Sequence, residues 1–345
     1  MIAVVILNWN GAEMLRRFLP SVVEHSHPLG EVIVADNGST DNSLEILQQE
    51  FPEVRTLVLD RNYGFAEGYN EAFRRLEIIA PQRYEYYLLL NSDVRVTADW
   101  LRPLQVYMEL HPEVAAAQPK LRAEWAHDTL EYAGAAGGFI DRYGYPFCRG
   151  RLLSVVEKDS GQYDDNASIF WATGAALLIR QSDWWEVGGL DGRFFAHNEE
   201  IDLCWRLRAR GRGIVCVPQS VVYHVGGGTL PQEHPRKTYL NFRNNLTMLF
   251  KNLPDAELKH VMRVRRFLDF VAFVQFLVKG DWANAKAVRK ARRDFHQWQS
   301  DFVKDRQENL SRMVLNPIPE RVNRSLIVGF FLKGQKTFSA FMQRS

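Results

Sequence analysis

Cysteine is scarce: three in 345 residues, Cys148, Cys204 and Cys216, far apart, with no C-x-x-C and no Cys/His cluster at zinc spacing. This excludes a disulfide scaffold or a structural zinc site and points to a reducing compartment. Long apolar runs are missing too. The longest, Phe267 to Val278, contains Asp269 and Gln275 and falls short of the ~20 residues a bilayer span needs. The first residues, MIAVVILNWNG, have no basic n-region and no small-residue cleavage site, so they read as a first strand and not a signal peptide. No G-x-G-x-x-G follows that strand and no Walker A loop occurs, which argues against a dinucleotide Rossmann site or a P-loop. No repeat period is present, so collagen-like and solenoid classes are out. What is present, 46% hydrophobic and 24% charged residues, suffices for one large core or two smaller ones.

The net charge of +2 hides an asymmetry. Residues 251–345 carry 19 Lys/Arg against 9 Asp/Glu, a balance of +10, which leaves −8 on residues 1–250. An acidic body joined to a basic tail predicts an anionic partner surface, membrane lipid before nucleic acid.

Along the first 120 residues strand and helix patterns alternate. Strands are predicted over Ile2–Leu7, Glu31–Ala35, Val54–Leu59 and Tyr86–Leu90, with helices between them. One carries Leu15, Phe18, Leu19, Val22 and Val23; the next is capped by Thr40 or Asp41; the third opens at Gly64. This is the signature of βαβ units and a mostly parallel sheet. Residues 120–170 lack periodicity and read as a long excursion over the sheet. Trp171–Arg180 reads as a strand. Asn198–Arg210 reads as a helix with an acidic first turn, capped by Asn198, and a basic last turn. Ile214–Val217 and Val221–His224 read as short strands. After Gly226-Gly227-Gly228 the chain is helical and basic to its end.

Ligands of an open parallel sheet bind beyond the strands' carboxyl ends. There the sequence places Asn8-Trp9-Asn10, Asp36-Asn37, Arg61-Asn62 and Asp93. Each alone reads as a polar turn. Together they make a nucleotide pocket, and without a glycine-rich phosphate loop the phosphates call for a carboxylate-held divalent cation.

Five segments, VVILNWNG, VIVADNGSTDNS, NYGFAEGYNEA, LLLNSDV and GGLDGRFFAHNEEIDLCWRLRARG, stand in that order. They resemble family 2 glycosyltransferases of GT-A fold, within them the rhamnosyltransferase-type enzymes of bacterial polysaccharide assembly. The resemblance covers roughly residues 1–250. It implies inverting transfer from a nucleotide-diphosphate sugar with Mg²⁺ or Mn²⁺. By motif position, Asp36 matches the acid that contacts the base, and Asn10 and Asn62 line the nucleoside pocket. Asn70 faces the donor. Asn91-Ser92-Asp93 matches D-x-D, with Asp93 as metal ligand and Asn91 toward ribose or sugar. His224, ending a short strand before Gly226-Gly227-Gly228-Thr229, matches a metal-binding histidine; a nitrogen ligand shifts preference toward Mn²⁺.

Asn198-Glu199-Glu200-Ile201-Asp202 read alone is a helix start with acids on the dipole. Inverting displacement, however, needs a carboxylate to take the acceptor proton. The family's base position falls on Glu200, with Glu199 as the alternative. Asp202 either orients the helix or contacts acceptor. Trp171 matches a segment beneath sugar and acceptor, where an aromatic face packs on a pyranose. Arg236 or Arg243 reaches the pyrophosphate. The Q-x-x-R-W signature of processive synthases is missing, which favours addition of one or a few sugars.

In the tail, Phe267, Phe270, Val271, Val274, Leu277 and Val278 form an apolar helical face amid basic residues. It reads either as a helical pair packed on the catalytic body or as an interfacial membrane anchor. No nucleic-acid module is visible. The sequence therefore predicts a GT-A catalytic domain (1–250) and a basic helical C-terminal extension (251–345). It predicts a cytoplasmic enzyme, peripheral on the inner face of the plasma membrane. Its donor would be a nucleotide-diphosphate sugar, dTDP-rhamnose first, and its acceptor a lipid-linked glycan or oligosaccharide. Two rivals are a nucleotidyltransferase acting on sugar phosphates and an inactive sugar-nucleotide-binding protein.

Overall fold

The computed structural model describes residues 1–226 and 234–343. Gly227, Gly228 and Thr229 of the predicted glycine stretch lie outside the described residues. The first half runs β1 (Ile2–Asn8), α1 (Ala12–Ser26), β2 (Gly30–Asp36), α2 (Ser43–Glu50), β3 (Arg55–Val58), α3 (Gly64–Ile79), β4 (Tyr86–Leu90), β5 (Val94–Val96), α4 (Leu101–Leu110), β6 (Val114–Ala123) and β7 (Ala126–Leu130). Short strands follow: β8 (Gly138–Asp141), β9 (Pro146–Cys148), β10 (Arg151–Leu152), β11 (Val155–Val156) and β12 (Ala167–Ser168). Then come β13 (Ala176–Arg180), α5 (Gln181–Val187), α6 (Glu199–Ala209), β14 (Gly213–His224), α7 (Pro235–Asn252), α8 (Asp255–Val278), α9 (Trp282–Trp298), α10 (Val303–Ser311), β15 (Arg321–Val322) and α11 (Phe338–Met342).

The main sheet has the order β12-β14-β6-β13-β4-β1-β2-β3, with β5 on β14 and β7 on β6. Strands β4, β1, β2 and β3 are parallel neighbours, while β13 runs antiparallel between β4 and β6. Successive β1 side chains point to opposite faces, as a pleat requires. Ile2, Val4 and Ile6 join α1, α2 and α4 on one side. Ala3 and Val5 join α3, α5 and α6 on the other. Both faces are covered, which is why β1 and β4 read as unbroken apolar runs.

Several expectations differ from the structure. The stretch predicted as a long excursion holds a second sheet, β11-β10-β9-β8-β15, whose two- to four-residue strands are too short to show a period. The two strands expected over 214–224 are one, β14, with register shifts on β6 that include the Val217–Val221 interval, where Pro218 lacks a ladder donor. The strand expected from Trp171 begins only at Ala176. Asp41 stands just outside the α2 cap position; its carboxylate accepts from Ser43 N–H at 3.0 Å and from Ala12 N–H, at the start of α1, at 3.1 Å. The chain after the glycines is mostly helical but also contributes β15 to the second sheet. Helix α7 carries the chain across residue 250.

Candidate active site

The carboxyl ends of β1 and β2 are in register, Asn8 beside Asp36. Asn8 Nδ2 donates to Asp36 Oδ1 at 3.0 Å, and Ser39 N–H donates to Asp36 Oδ2 at 3.0 Å. Asn10 N–H donates to Ser39 Oγ, and Asn10 Oδ1 accepts from Thr40 N–H at 2.7 Å. One loop further, Asn62 Oδ1 accepts from Gly64 N–H and from Asn37 Nδ2. Gly38, at φ +70°, permits the close approach: a Cβ there would stand 2.6 Å from the Arg61 backbone. Asn10 and Trp9 are exposed at this rim and Asn62 half-buried; Asp36, expected to contact the base, is instead wholly enclosed with both oxygens taken by Asn8 and Ser39.

Asn91, Asp93 and His224 converge at the end of β4. The pairing of β5 with β14 sets His224 opposite Val94, one residue after Asp93. Asp93 Oδ1 stands 3.1 Å from His224 Nε2, and Asn91 Nδ2 lies 3.3 Å from the same nitrogen. The other ring nitrogen, Nδ1, faces Glu131 Oε1 at 3.4 Å. Glu131, just after β7, is buried, and its Oε2 accepts from Ala133 N–H. Burial disfavours the charged imidazole, but the Glu131 charge and the Asp93 hydrogen bond outweigh it and push His224 up to about 10. Burial likewise works against the Asp93 charge, yet the His224 hydrogen bond holds that carboxyl below its ordinary range.

Adjacent ligands of an octahedral Mg²⁺ or Mn²⁺, each about 2.1 Å from the ion, sit roughly 3 Å apart. The separation of Asp93 Oδ1 from His224 Nε2 meets that spacing, so this oxygen and nitrogen fit two corners of such an ion. Among the described residues no group of three His, Cys, Asp or Glu side chains forms a complete metal cage.

The entry to α6 is backbone of unusual conformation. Phe195, His197 and Asn198 all have positive φ, at 67°, 71° and 69°. Asn198 occupies the cap position in a left-handed conformation, and its side chain does not cap; it accepts from Asn245 Nδ2 instead. Asn244 of α7 holds the loop: its Nδ2 donates to the carbonyls of Phe194, Ala196 and His197 at 3.0, 2.8 and 2.8 Å. Glu199 and Glu200 follow, each with a buried carboxylate oxygen that no hydrogen bond satisfies. Burial pushes Glu200 up to about 7. Burial and the neighbouring Glu200 charge push Glu199 well above the usual carboxylate range. Gly174 closes the other side, where a Cβ would stand 3.0 Å from the Phe65 ring and 3.9 Å from Glu200 Cβ.

Asn70, Trp171 and Arg243 stand elsewhere than the sequence reading expected, while Asp202 takes the helix-orienting role of its two expected alternatives. The Asn70 amide is taken at both ends by the Leu190 backbone, at 3.0 and 2.7 Å, and so holds the Gly188–Asp191 turn. Trp171 lies buried over Gly138 and donates to Phe139 O at 2.9 Å, inside the packing between the two sheets. Asp202 is fully buried, bound to Arg206, Lys251 and Asn252, which locks α6 to α7. Arg243 is buried beneath the Phe194 carbonyl and Trp298. Arg236, by contrast, is exposed over the Phe195 ring. Sequence reasoning missed Glu131 and Asn244. Each meets residues distant in the chain, and only the fold brings Glu131 to His224 and Asn244 to the α6 entry.

The mixed sheet with helices on both faces and helices after it is a GT-A fold. Solved structures carry the same fold. The crystal structure of GalNAc-T7 with UDP, GalNAc and Mn²⁺ matches with TM-score 0.58 at 16% identity, over 93% of this chain and 59% of that one. S. aureus TarS 1-349 matches with TM-score 0.55 at 14% identity, over 90% and 88%. The model of "Glycosyl transferase family 2" matches residues 3–182, and the chain belongs to that family. Among relatives, the N-acetylglucosaminyl-diphospho-decaprenol L-rhamnosyltransferase of Mycobacterium tuberculosis is 28% identical over 233 residues, 64% of this chain and 75% of its own. Rhamnosyltransferase WbbL of Escherichia coli K12 is 27% identical over 194 residues, 55% of this chain and 70% of its own. The chain is thus a rhamnosyltransferase-like glycosyltransferase, and nucleotidyl transfer is set aside.

Proposed function

We propose that this enzyme transfers a sugar, L-rhamnose first among donors, from a nucleotide diphosphate to a lipid-linked N-acetylglucosamine-type acceptor with inversion at the anomeric carbon. It would work as a cytoplasmic protein, peripheral on the anionic inner face of the plasma membrane. The observation that carries the reading is the Asp93–His224 pair, 3.1 Å apart at the carboxyl end of the sheet. The donor and acceptor come from the rhamnosyltransferase relatives, and the metal from the GalNAc-T7 complex.

Asn10 and Asn62 line the nucleoside from the loops after β1 and β3, with Asp36 bracing the Ser39 turn on which Asn10 rests, and Asn91 faces ribose or sugar. Asp93 and His224 would hold Mg²⁺ or Mn²⁺, which when bound would supply positive charge against the departing diphosphate. Glu131 keeps the His224 ring oriented from its far nitrogen. Arg236 approaches the pyrophosphate from the start of α7. Glu200, with Glu199 beside it, takes the proton of the attacking hydroxyl. As that oxygen bonds to the anomeric carbon, the bond to the diphosphate oxygen breaks on the opposite face. Burial serves this role: a carboxylate with its pKa near 7 is a stronger base than an exposed one.

The test is incubation of the full chain with dTDP-rhamnose, UDP-GlcNAc or GDP-mannose, a GlcNAc-diphospho-lipid analogue and Mn²⁺ or Mg²⁺. One rhamnosylated product of inverted anomeric configuration is expected, and chelator should abolish it. Retention of configuration, or undiminished transfer in chelator, overturns the mechanism. Donor binding with neither transfer nor hydrolysis would favour an inactive sugar-nucleotide-binding protein.

A further inference from the structure

Helix α8 has its polarity inverted. The residues it buries are Val261, Arg265 and Asp269, one turn apart. Arg265 donates to Tyr143 O at 3.0 Å and pairs with Asp269, which also pairs with Arg292 of α9. From Phe267 onward, Phe267, Phe270, Val271, Val274 and Val278 face outward instead. From Phe270 to Asp281 no residue is buried. Phe267, Phe270, Val278 and, across the turn, Trp282 are 65%, 59%, 84% and 63% exposed. Water is a poor environment for such a surface.

Around it the exposed charge has one sign. Arg263, Arg266, Lys279, Lys286 and Arg289 are exposed. None has a carboxylate partner among the described residues. The nearest acids are spent: Asp269 on two arginines, Asp281 on the start of α9, Asp294 on Lys290 and Arg293. No described helix is long and apolar enough to cross a membrane.

We propose that the distal half of α8 and its turn into α9 insert into the headgroup layer of an anionic bilayer, the basic residues meeting lipid phosphates. The exposed apolar residues share one helical face, and the unpaired cations beside it complement anionic headgroups, the pairing an interfacial helix makes with lipid. The root of the helix is fixed to the catalytic side. Arg265 donates to Asn245 Oδ1, and Asn245 Nδ2 donates to Asn198 Oδ1 at the cap of the Glu199–Glu200 helix. The inserted tip therefore sets the height of the catalytic helix above the lipid, where a lipid-linked acceptor presents its sugar. This inference rests on the proposed acceptor class.

The experiment is flotation of the full chain with phosphatidylcholine vesicles, alone or with 30% phosphatidylglycerol. Binding to the anionic vesicles at least tenfold stronger is expected. Phe270→Ser with Val274→Ser and Val278→Ser should cut it more than tenfold while keeping the melting temperature and transfer to a water-soluble acceptor analogue. Lys279→Gln, Lys286→Gln and Arg289→Gln should each cost about fivefold on anionic vesicles only. Equal binding to both vesicle types, or full binding by the triple serine variant, overturns the proposal. So does a wild-type dimer in light scattering that the triple variant abolishes, since the face would then bind a second copy. Vesicle binding without any transfer would refute the proposed reaction and leave the membrane tip standing.

Discussion

Glu200 can accept a proton only while unprotonated, and burial holds its pKa near 7. Transfer should therefore rise with pH and level off above about 7, measured as kcat under saturating donor. Glu200→Gln should lower kcat by about 10²–10⁴-fold with donor affinity unchanged; if Glu199→Gln does so instead, the assignment passes to Glu199. The same burial has a thermodynamic sign. The folded carboxyl keeps a proton between its ordinary 4.5 and about 7 that the unfolded chain releases, so stability declines as pH rises through that window. Glu200→Gln should thus melt higher than wild type above pH 7, by roughly 1–3 kcal/mol, and equally near pH 4. Glu131→Gln removes the carboxylate behind His224. It should raise the Mn²⁺ concentration for half-maximal activity about 10–100-fold while sparing kcat at saturating metal. That Asp93 and His224 meet at one sheet end, and that Glu199 and Glu200 open a helix, was legible because they sit at strand or helix ends with recognisable wording. The place of Glu131 behind His224 was not: it arises only once β7 and β14 bring the two together.

At the scale of elements, the α6 entry joins two things that sequence reads unequally. The helix itself is plain from its acidic start and basic end. The loop before it is not, because Phe195, His197 and Asn198 take left-handed backbone that their residue types do not advertise. Such conformations cost about 1–3 kcal/mol each and persist only when neighbours hold them. Asn244 does so by donating to three carbonyls. Asn244→Ala should cost roughly 1–3 kcal/mol in stability and lower kcat more than it raises donor KM, since it would displace the proposed base while leaving the loops after β1 to β3 untouched. Calorimetry and initial rates check both. The parallel half of the sheet was legible because β1 and β4 are buried on both faces. The second sheet was hidden, and with it the burial of Trp171, because strands of two to four residues leave no alternation to read.

Over the whole molecule, the charge asymmetry is resolved by how the halves dock. Acids of the basic tail are used on arginines of the body: Glu320 on Arg208 and Asp305 on Arg193. Arg263, Arg266, Lys279, Lys286 and Arg289, on α8, its turn and α9, have no carboxylate partner among the described residues, which is why the overall balance of +2 conceals a basic face. The tail is also structural. Val288, Phe295, Phe302, Leu326, Phe330 and Phe341 are buried, and all but Val288 share one core cluster with β1, α3 and α6. At roughly 1.5–3 kcal/mol for each buried side chain, their loss would be on the order of 10 kcal/mol. That matches the entire stability of an ordinary domain, about 5–15 kcal/mol. A chain ending at residue 255 should therefore fail to fold cooperatively, with a flattened thermal transition by circular dichroism and rapid general proteolysis. Its detachment from membranes would then say nothing about lipid binding. If it instead melts sharply and still binds donor, the helices after α7 are an appendage and the core described above is not a unit.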